Sequence, residues 1–422
     1  MQRWASRLLL YAGFGSAVSI LFSIALSQAL LGVALLALLA GRLPVRFPPI
    51  LLALGLFFAQ TAMSLLFSGH IIAGWPQIRK FFVFATLLVL ASSLRSIREV
   101  RLLCICWSGI AVLSAGAAFL QYVRRDQAAH VIGATNDYDF YLDSRLHGLA
   151  SHWMTFGGEL MIVFVLSLAF ALFAVGTKWR WWFLCCLPVI GISLVLGLSR
   201  SVFLIGLPAG SVYLLWVRKR ALVMLLPIVG ALLWWSAPFQ VRERISSVAR
   251  PHASFDSNGR RVILIRTGLA MIKRHPFFGV GPEQVGAQFM EYVPADVARP
   301  LPKGWYGHLH NIYLQYAAER GIPALLLLLW LIGRILYDLH RSVSSSAPYG
   351  ERWFIHGAIA AIYSILAEGL FEHDLGDSEV LTMFLTIVAC AYVVKWERAA
   401  AAQPEISQLS VSVSMPQCEV VQ

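Results

Sequence analysis

Apolar runs of membrane-spanning length recur along almost the whole chain, separated by short segments that carry arginine and lysine. The twelve runs lie near residues 7–26, 28–42, 48–68, 81–95, 102–122, 152–176, 181–198, 201–217, 221–237, 322–338, 353–371 and 379–394. A helix needs about 20 apolar residues to cross a bilayer. The pattern therefore predicts an all-α polytopic membrane protein with about 12 transmembrane helices. Some runs are closely spaced, so the count is approximate.

The distribution of charge agrees with this pattern and predicts an orientation. Hydrophobic residues make up 58% of the chain and charged residues 13%, against roughly 25% charged residues in soluble domains. With the N-terminus inside, seventeen arginines and lysines fall in inner segments, and only Arg79, Lys80 and Arg200 fall in short outer loops. Positive residues concentrate in cytoplasmic loops, so we expect both termini in the cytoplasm.

Two outer segments are long, at about residues 121–151 and 236–321, and belong to a predicted membrane domain of residues 1–398. The second is basic and contains "RRVILIRTGLAMIKRHP", whose apolar spacing predicts a helix that ends at a proline and lies across the outer face. The tail 399–422 is polar without a helical period, which predicts disorder. The net charge of +12 favours an anionic ligand or membrane surface and not nucleic acid.

The sequence predicts neither a disulfide framework nor a metal site. Five of the six cysteines lie in apolar runs and the sixth in the tail, so none is placed like a cysteine of a disulfide-rich loop. Cys104 and Cys106 are best explained as small packing residues of a helix. Asp137, Asp139 and Asp143 faintly resemble a calcium loop, but the glycine and bidentate glutamate of that loop are missing.

Four arginines of the outer segments are candidates for binding a phosphate group. Arg200 interrupts nearly continuous apolar sequence, where an ionisable residue is costly and usually functional. Arg145 ends the first long segment, and Arg260 and Arg261 open the amphipathic stretch. Guanidinium stays charged and binds phosphate oxygens through paired hydrogen bonds. The alternatives are an arginine that extends to lipid headgroups for Arg200, and solvated loop charges for the others.

Histidines and acidic residues supply candidates for proton transfer and sugar binding. His308 and His310 close the second long segment, and an unperturbed histidine can accept a proton near neutral pH. Asn311 can hold the histidine ring or cap the following helix, and His310 can equally be a packing residue at a helix start. A further acidic group from Glu372 to Glu379, which contains Asp374 and Asp377, is expected to hold a cationic side chain or a sugar hydroxyl, and Glu368 precedes it at the outer end of the eleventh predicted span.

Three stretches carry a resemblance to a known family. They are "HNIYLQYAAERG", "RSVFL" and "GRRVILIRTGLAMIKRHPFFGVGPEQ". With about twelve spans, the chain resembles the O-antigen ligases of lipopolysaccharide synthesis and their relatives, the O-antigen polymerases and bacterial O-oligosaccharyltransferases. The resemblance extends from about residue 145 to 379, and the His-Asn…Gly motif separates ligases from their relatives less well than it marks the superfamily.

The resemblance implies a type-C glycosyltransferase-like fold with a large helical periplasmic loop in the bacterial inner membrane. The implied donor is an O-antigen glycan on undecaprenyl diphosphate, and the implied acceptor is a sugar hydroxyl of lipid A–core. His310 then matches the family's proposed general base, and Arg200 with Arg261 or Arg260 matches its diphosphate-binding arginines. Counting back from the His-Pro pair favours Arg261. Transfer would invert the anomeric centre without metal, nucleotide or other cofactor.

Three other functions fit part of the pattern. A polymerase of the same superfamily would extend the glycan instead of moving it to lipid A. A protein O-oligosaccharyltransferase would benefit from a protein-acceptor domain, which the sequence does not suggest. A transporter of lipid-linked sugar should place charged sites near the membrane midplane, whereas Glu159, Arg200 and Glu368 fall near the outer ends of the predicted spans.

Overall fold

The computed structural model describes residues 2–135, 137–248, 257–302, 304–343 and 352–413. These ranges are helical with connecting turns and loops, and they contain no strand. The first nine helices are α1 Gln2–Ser19, α2 Ile24–Ala40, α3 Leu51–Phe67, α4 Ile71–Arg79, α5 Ala85–Ser93, α6 Ile97–Val131, α7 Tyr138–Asp143, α8 Trp153–Phe173 and α9 Trp179–Leu196. The others are α10 Leu207–Arg218, α11 Leu225–Ser236, α12 Phe239–Ser246, α13 Ser257–Arg274, α14 Gln284–Tyr292, α15 Ile312–Arg320, α16 Ile322–Val343, α17 Trp353–Glu368 and α18 Ser378–Val413.

All twelve apolar runs predicted from the sequence coincide with helices. Among the described residues, six helical segments are long and apolar enough to cross a membrane, namely Ile71–Ser93, Ile97–Val131, Trp153–Phe173, Trp179–Leu196, Ile322–Val343 and Ser378–Ala400. Five shorter apolar helices accompany them, namely Ile24–Ala40, Leu51–Phe67, Val202–Arg218, Arg220–Ser236 and Trp353–Glu368. The structure is thus that of a multi-pass membrane protein, while the number twelve stays a prediction.

Helices α8, α17 and α18 form the centre of the bundle. The most apolar windows of α8 and α18 are 83% and 89% buried, against 33% for α9, and nearly every residue of α17 is buried. Glycine allows the neighbouring helix α10 to approach α17 closely. A Cβ added at Gly210 would lie only 2.8 Å from the carbonyl oxygen of Ala360. The central helices end at the candidate site, so their packing fixes its position.

The two long outer segments contain more helix than the sequence predicted. Helix α6 starts at a capping box formed by Ser96 and Glu99 and continues to Val131, well into the segment predicted to be a loop from residue 121. The predicted amphipathic helix is α13, which ends just before Pro276. With α14 it builds a small apolar core of its own. The burial of these side chains against one another explains why this segment is ordered without a membrane-spanning helix.

Helix α18 continues beyond the predicted start of the tail at residue 399, through Val413. Residues 414–422 lie outside the described residues. The sequence "ERAAAAQ" follows the buried part of the helix. Alanine and glutamate have high helix propensity, and extending an existing helix avoids the cost of nucleation. The disorder of the tail stays a prediction.

We predict that Gly210→Ala lowers the thermal stability of the purified protein, because its new methyl group must push α10 away from the α17 backbone. Overpacking of this kind costs about 1–3 kcal/mol. Gly230→Ala in α11 is the matched control, since nothing lies within 4 Å of the position of its added Cβ. Melting curves in detergent check both variants. Equal melting temperatures for Gly210→Ala and the control would contradict the close packing of α10 on α17.

Candidate active site

A histidine and a glutamate from two distant segments form the centre of the site. His310 Nδ1 lies 2.5 Å from Glu372 Oε1, and the two side chains are only 11% and 5% exposed. Burial raises the pKa of Glu372, but His310, His308 and Arg261 outweigh it and hold that pKa below its usual value. Glu372 is therefore ionised at neutral pH. It accepts the Nδ1 proton of His310 and leaves Nε2 as the ring nitrogen that can accept a proton.

Backbone contacts hold this pair in place. His310 has a positive φ of 48°, a left-handed conformation that costs a residue with a side chain roughly 1–3 kcal/mol. The next residue, Asn311, caps α15 by accepting from Leu314 N over 2.8 Å, and its Nδ2 donates to Leu370 O. Ile312 N donates to Gly369 O over 2.7 Å. The start of α15 is thus bonded to the end of α17, next to Glu372.

His308 supports the backbone of His310 instead of acting as a second candidate base. Its Nδ1 accepts the His310 N–H over 3.1 Å, and the two imidazole rings are 4.1 Å apart. Burial, together with the neighbouring His310, lowers the pKa of His308 to about 4. His308 is therefore neutral at pH 7, as its acceptor role requires. The edge of the Trp305 ring system packs on His308, with the ring centroids 4.6 Å apart.

The buried Arg200 belongs to a polar network that also contains Arg244. Arg200 Nη1 donates to Ser247 Oγ over 3.1 Å. Arg244 donates from Nη1 to Tyr138 Oη over 3.1 Å and from Nε to Leu198 O over 2.9 Å. Burial first, and then the charges of Arg244 and Arg261, lower the pKa of Arg200 to about 10. The two guanidinium groups are therefore close enough to repel one another, and Arg200 remains protonated at neutral pH.

Arg261, Arg260 and Arg145 lie between this network and the histidine–glutamate pair. Arg261 Nη2 donates to Phe371 O over 3.3 Å, directly beside Glu372 in the chain. Arg260 packs against Gly304, where an added Cβ would collide with its guanidinium, and its buried Nε has no hydrogen-bond partner in the described structure. Arg145 stacks over Trp153 at 3.7 Å. Burial and the charge of Arg244 lower its pKa to about 9.

The acidic candidates make contacts with hydroxyl groups. Ser201 Oγ donates to Glu368 over 3.2 Å, and Thr155 Oγ1 donates to Asp377 over 3.0 Å. Burial and the adjacent Glu368 raise the pKa of Asp374 well above its usual value, and burial raises that of Asp377 to about 6. Glu368, Asp374 and Asp377 form no ion pair with an arginine or lysine of the described ranges. These contacts join the ends of α8, α9, α17 and α18.

Part of the chain matches the model of a known family. Residues 184–329 match the model of the O-antigen ligase family. The matched segment runs from α9 into α16 and includes Arg200, Arg260, Arg261, His310 and Asn311. It confirms the resemblance to the O-antigen ligase and polymerase superfamily and indicates a glycosyltransferase-like enzyme of the membrane. No curated protein matches the chain significantly.

Two central residues of the site were not singled out by the sequence. Glu372 belongs to the predicted acidic group of four carboxylates within eight residues, Glu372 to Glu379, where spacing alone does not indicate which one meets His310. Arg244 is one of many arginines in a basic segment, and its partner Tyr138 is more than a hundred residues away. Neither carries a local signal, because each acquires its role only through contacts between distant segments.

The cluster around His310 also has the composition of a metal site, although the sequence predicted none. Ligand atoms of His308, His310 and Glu372 all lie within 4.8 Å of one another. Two histidines and a glutamate are a common ligand set for zinc. His308 could contribute only Nε2, because its Nδ1 accepts the His310 N–H. The same three residues can thus act as a base with its supports or as metal ligands, and experiment must separate the two.

Proposed function

We propose that this protein transfers an O-antigen glycan from undecaprenyl diphosphate to a sugar hydroxyl of lipid A–core, on the periplasmic face of the bacterial inner membrane. The observation that carries the proposal is the buried His310–Glu372 pair beside the arginine cluster. A base next to several cations suits a reaction in which a hydroxyl loses a proton and a diphosphate leaves. The match to the O-antigen ligase family supports the same assignment.

In the proposed reaction, His310 acts as the general base. Its Nε2 takes the proton of the acceptor hydroxyl while that oxygen attacks the anomeric carbon of the donor sugar. The bond from the anomeric carbon to the diphosphate oxygen breaks on the opposite face, so the configuration inverts. Glu372 fixes the tautomer of His310 and stabilises the imidazolium that forms, as a carboxylate does in other histidine-base sites.

The arginines bind the diphosphate and stabilise the charge that grows on it as it leaves. Arg200 and Arg261 are the main candidates: Arg200 is held by its hydrogen bond to Ser247, and Arg261 by its hydrogen bond to the Phe371 carbonyl beside Glu372. Arg260 and Arg145 are supporting candidates. Between the adjacent pair, Arg261 is favoured because it lies against Phe371 and helps to lower the pKa of Glu372. Cations that replace a metal in this way make a divalent ion unnecessary for binding diphosphate.

The lipopolysaccharide pattern of cells lacking the protein tests this function. Lipid A–core without O-antigen, with long glycans accumulating on undecaprenyl diphosphate, is the result expected for a ligase. Core that carries a single repeat would instead indicate the polymerase of the same superfamily. An unchanged ladder would overturn both and direct attention to protein glycosylation or transport.

We predict that His310→Ala reduces transfer by purified enzyme about 100- to 10,000-fold, which is the usual contribution of a positioned base. Glu372→Gln should reduce kcat less, and should shift the pH–rate profile, because the amide cannot stabilise the imidazolium. Glu291→Gln in α14 is the exposed control. Folding is checked by melting curves. Near-normal transfer by folded His310→Ala enzyme would exclude it as the base.

We predict that Arg200→Lys is severely impaired although its charge is kept, because an ammonium group cannot form two parallel hydrogen bonds to phosphate. The apparent donor affinity and kcat should both fall, with at least a tenfold loss in kcat/KM. Arg242→Lys, at an exposed position of α12, is the matched control. Equal kinetics for the two variants would remove Arg200 from the donor site.

We predict that chelators leave the transfer rate unchanged, because the arginines supply the positive charge. Purified enzyme is treated with EDTA and with 1,10-phenanthroline, and its zinc content is measured in parallel. Stoichiometric zinc, together with activity lost on chelation and restored by zinc, would mean that His308, His310 and Glu372 bind a metal. In that case His310 could not be the base.

A further inference from the structure

A second basic site lies on the other side of the segment that contains Glu372. Between α2, α4 and the start of α18, a cavity of about 540 Å³ is lined by Gln28, Arg79, Lys80, Phe82 and Ser378, among others. A cavity of this volume is within the range of ligand sites. Its residues come from helix ends, and the diphosphate site proposed above uses none of them.

The two cations of this cavity form no salt bridge within the described ranges. No carboxylate lines the cavity, but Asp377, next to Ser378 in the chain, is close enough to interact with the charge of Lys80. Lys80 Nζ donates to Gly376 O over 2.8 Å. Both cations lie within the apolar helical segment Ile71–Ser93, where basic residues are costly and usually functional. Arg79 gains from the C-terminal end of the α4 dipole, but by less than about 1 kcal/mol.

The segment between α17 and α18 separates this cavity from the arginine cluster. Phe371 and Glu372 face Arg261. The next residue, His373, lies beside Lys80 instead, because both line a narrow space of about 20 Å³, room for about one water.

The same segment connects the cavity to the proposed base. The ring of His373 is 5.8 Å from that of His308, which in turn is 4.1 Å from that of His310. Lys80 lines both the cavity and the narrow space beside His373, and the histidine rings lead from there to His310. A reaction between two lipids requires a separate position for each of them.

We propose that the cavity at Arg79 and Lys80 binds a phosphate group of the acceptor glycolipid while its sugar reaches His310. The assignment rests on the function proposed above and adds the acceptor subsite to it. Phe82 and Val83 give the cavity apolar walls suited to a lipid beside its headgroup. Exposed Ile72 and Trp75 of α4 continue this apolar surface. Ordinary anionic phospholipid offers the same phosphate chemistry, so the test must separate the two sources.

The test compares acceptor kinetics of the wild-type enzyme with Arg79→Gln and with the double variant Arg79→Gln/Lys80→Gln, in vesicles of phosphatidylcholine. Arg242→Gln is the control. Lipid A–core is supplied with and without its phosphates. Losing one or two charge-assisted contacts should raise the acceptor KM about 10- to 100-fold. The donor KM and kcat should stay unchanged, and the dephosphorylated acceptor should not distinguish the variants from wild type.

Other outcomes would overturn the proposal. An unchanged acceptor KM, a raised donor KM, or an equal loss with both acceptors would exclude an acceptor-phosphate site. If added phosphatidylglycerol alone binds in an Arg79-dependent way, the cavity holds bulk phospholipid. Binding of lipid A to the wild type and the variants is measured separately by native mass spectrometry. If the wild type transfers nothing, the proposed function fails. Lipid A binding that does not depend on Arg79 and Lys80 overturns the acceptor site.

Discussion

The hydrogen bond between His310 and Glu372 is the contact on which the site depends, because it joins segments 62 residues apart. This contact needs support from other contacts, because His310 adopts a strained left-handed backbone. The cap formed by Asn311 and the bond from Ile312 N to Gly369 O hold the same two segments together. Several ordinary contacts therefore offset the strain, and the ring keeps one orientation before any ligand binds. Preorganisation of this kind is what makes a base effective.

The arginine cluster places like charges close together inside the protein. Arg200 and Arg244 are both more than nine-tenths buried and lie near one another. Arg200 donates to Ser247 and Arg244 donates to Tyr138. Bringing like charges together in a buried site is costly, and an anion that approaches them relieves that cost. The diphosphate proposed above would gain from both attraction and the relief of repulsion, while Glu372, engaged with His310, offsets only part of the positive charge.

The sequence predicted the parts of this structure that depend on local pattern. Apolar runs predicted the helices, the spacing in "RRVILIRTGLAMIKRHP" predicted α13, and the Asn311 cap follows from its position before an apolar helix. The same reasoning singled out Arg200, because an ionisable residue is conspicuous in apolar sequence, and His310, because it precedes Asn311 at the end of the second long segment. It could not select Glu372 from its acidic stretch or Arg244 from its basic segment, since their partners lie on distant helices.

The position of Trp305 bears on how such a site would favour a sugar hydroxyl over water. The residue is 60% exposed, and its ring meets that of His308 edge to face, close to His310. With His310 only 11% exposed, water has limited access to the proposed base. An acceptor sugar would stack on the exposed part of the Trp305 ring and displace that water as it approaches. Under the proposed function, an aromatic ring beside the base offers a physical reason for transfer to outpace hydrolysis, since the base would become dry when the acceptor is bound.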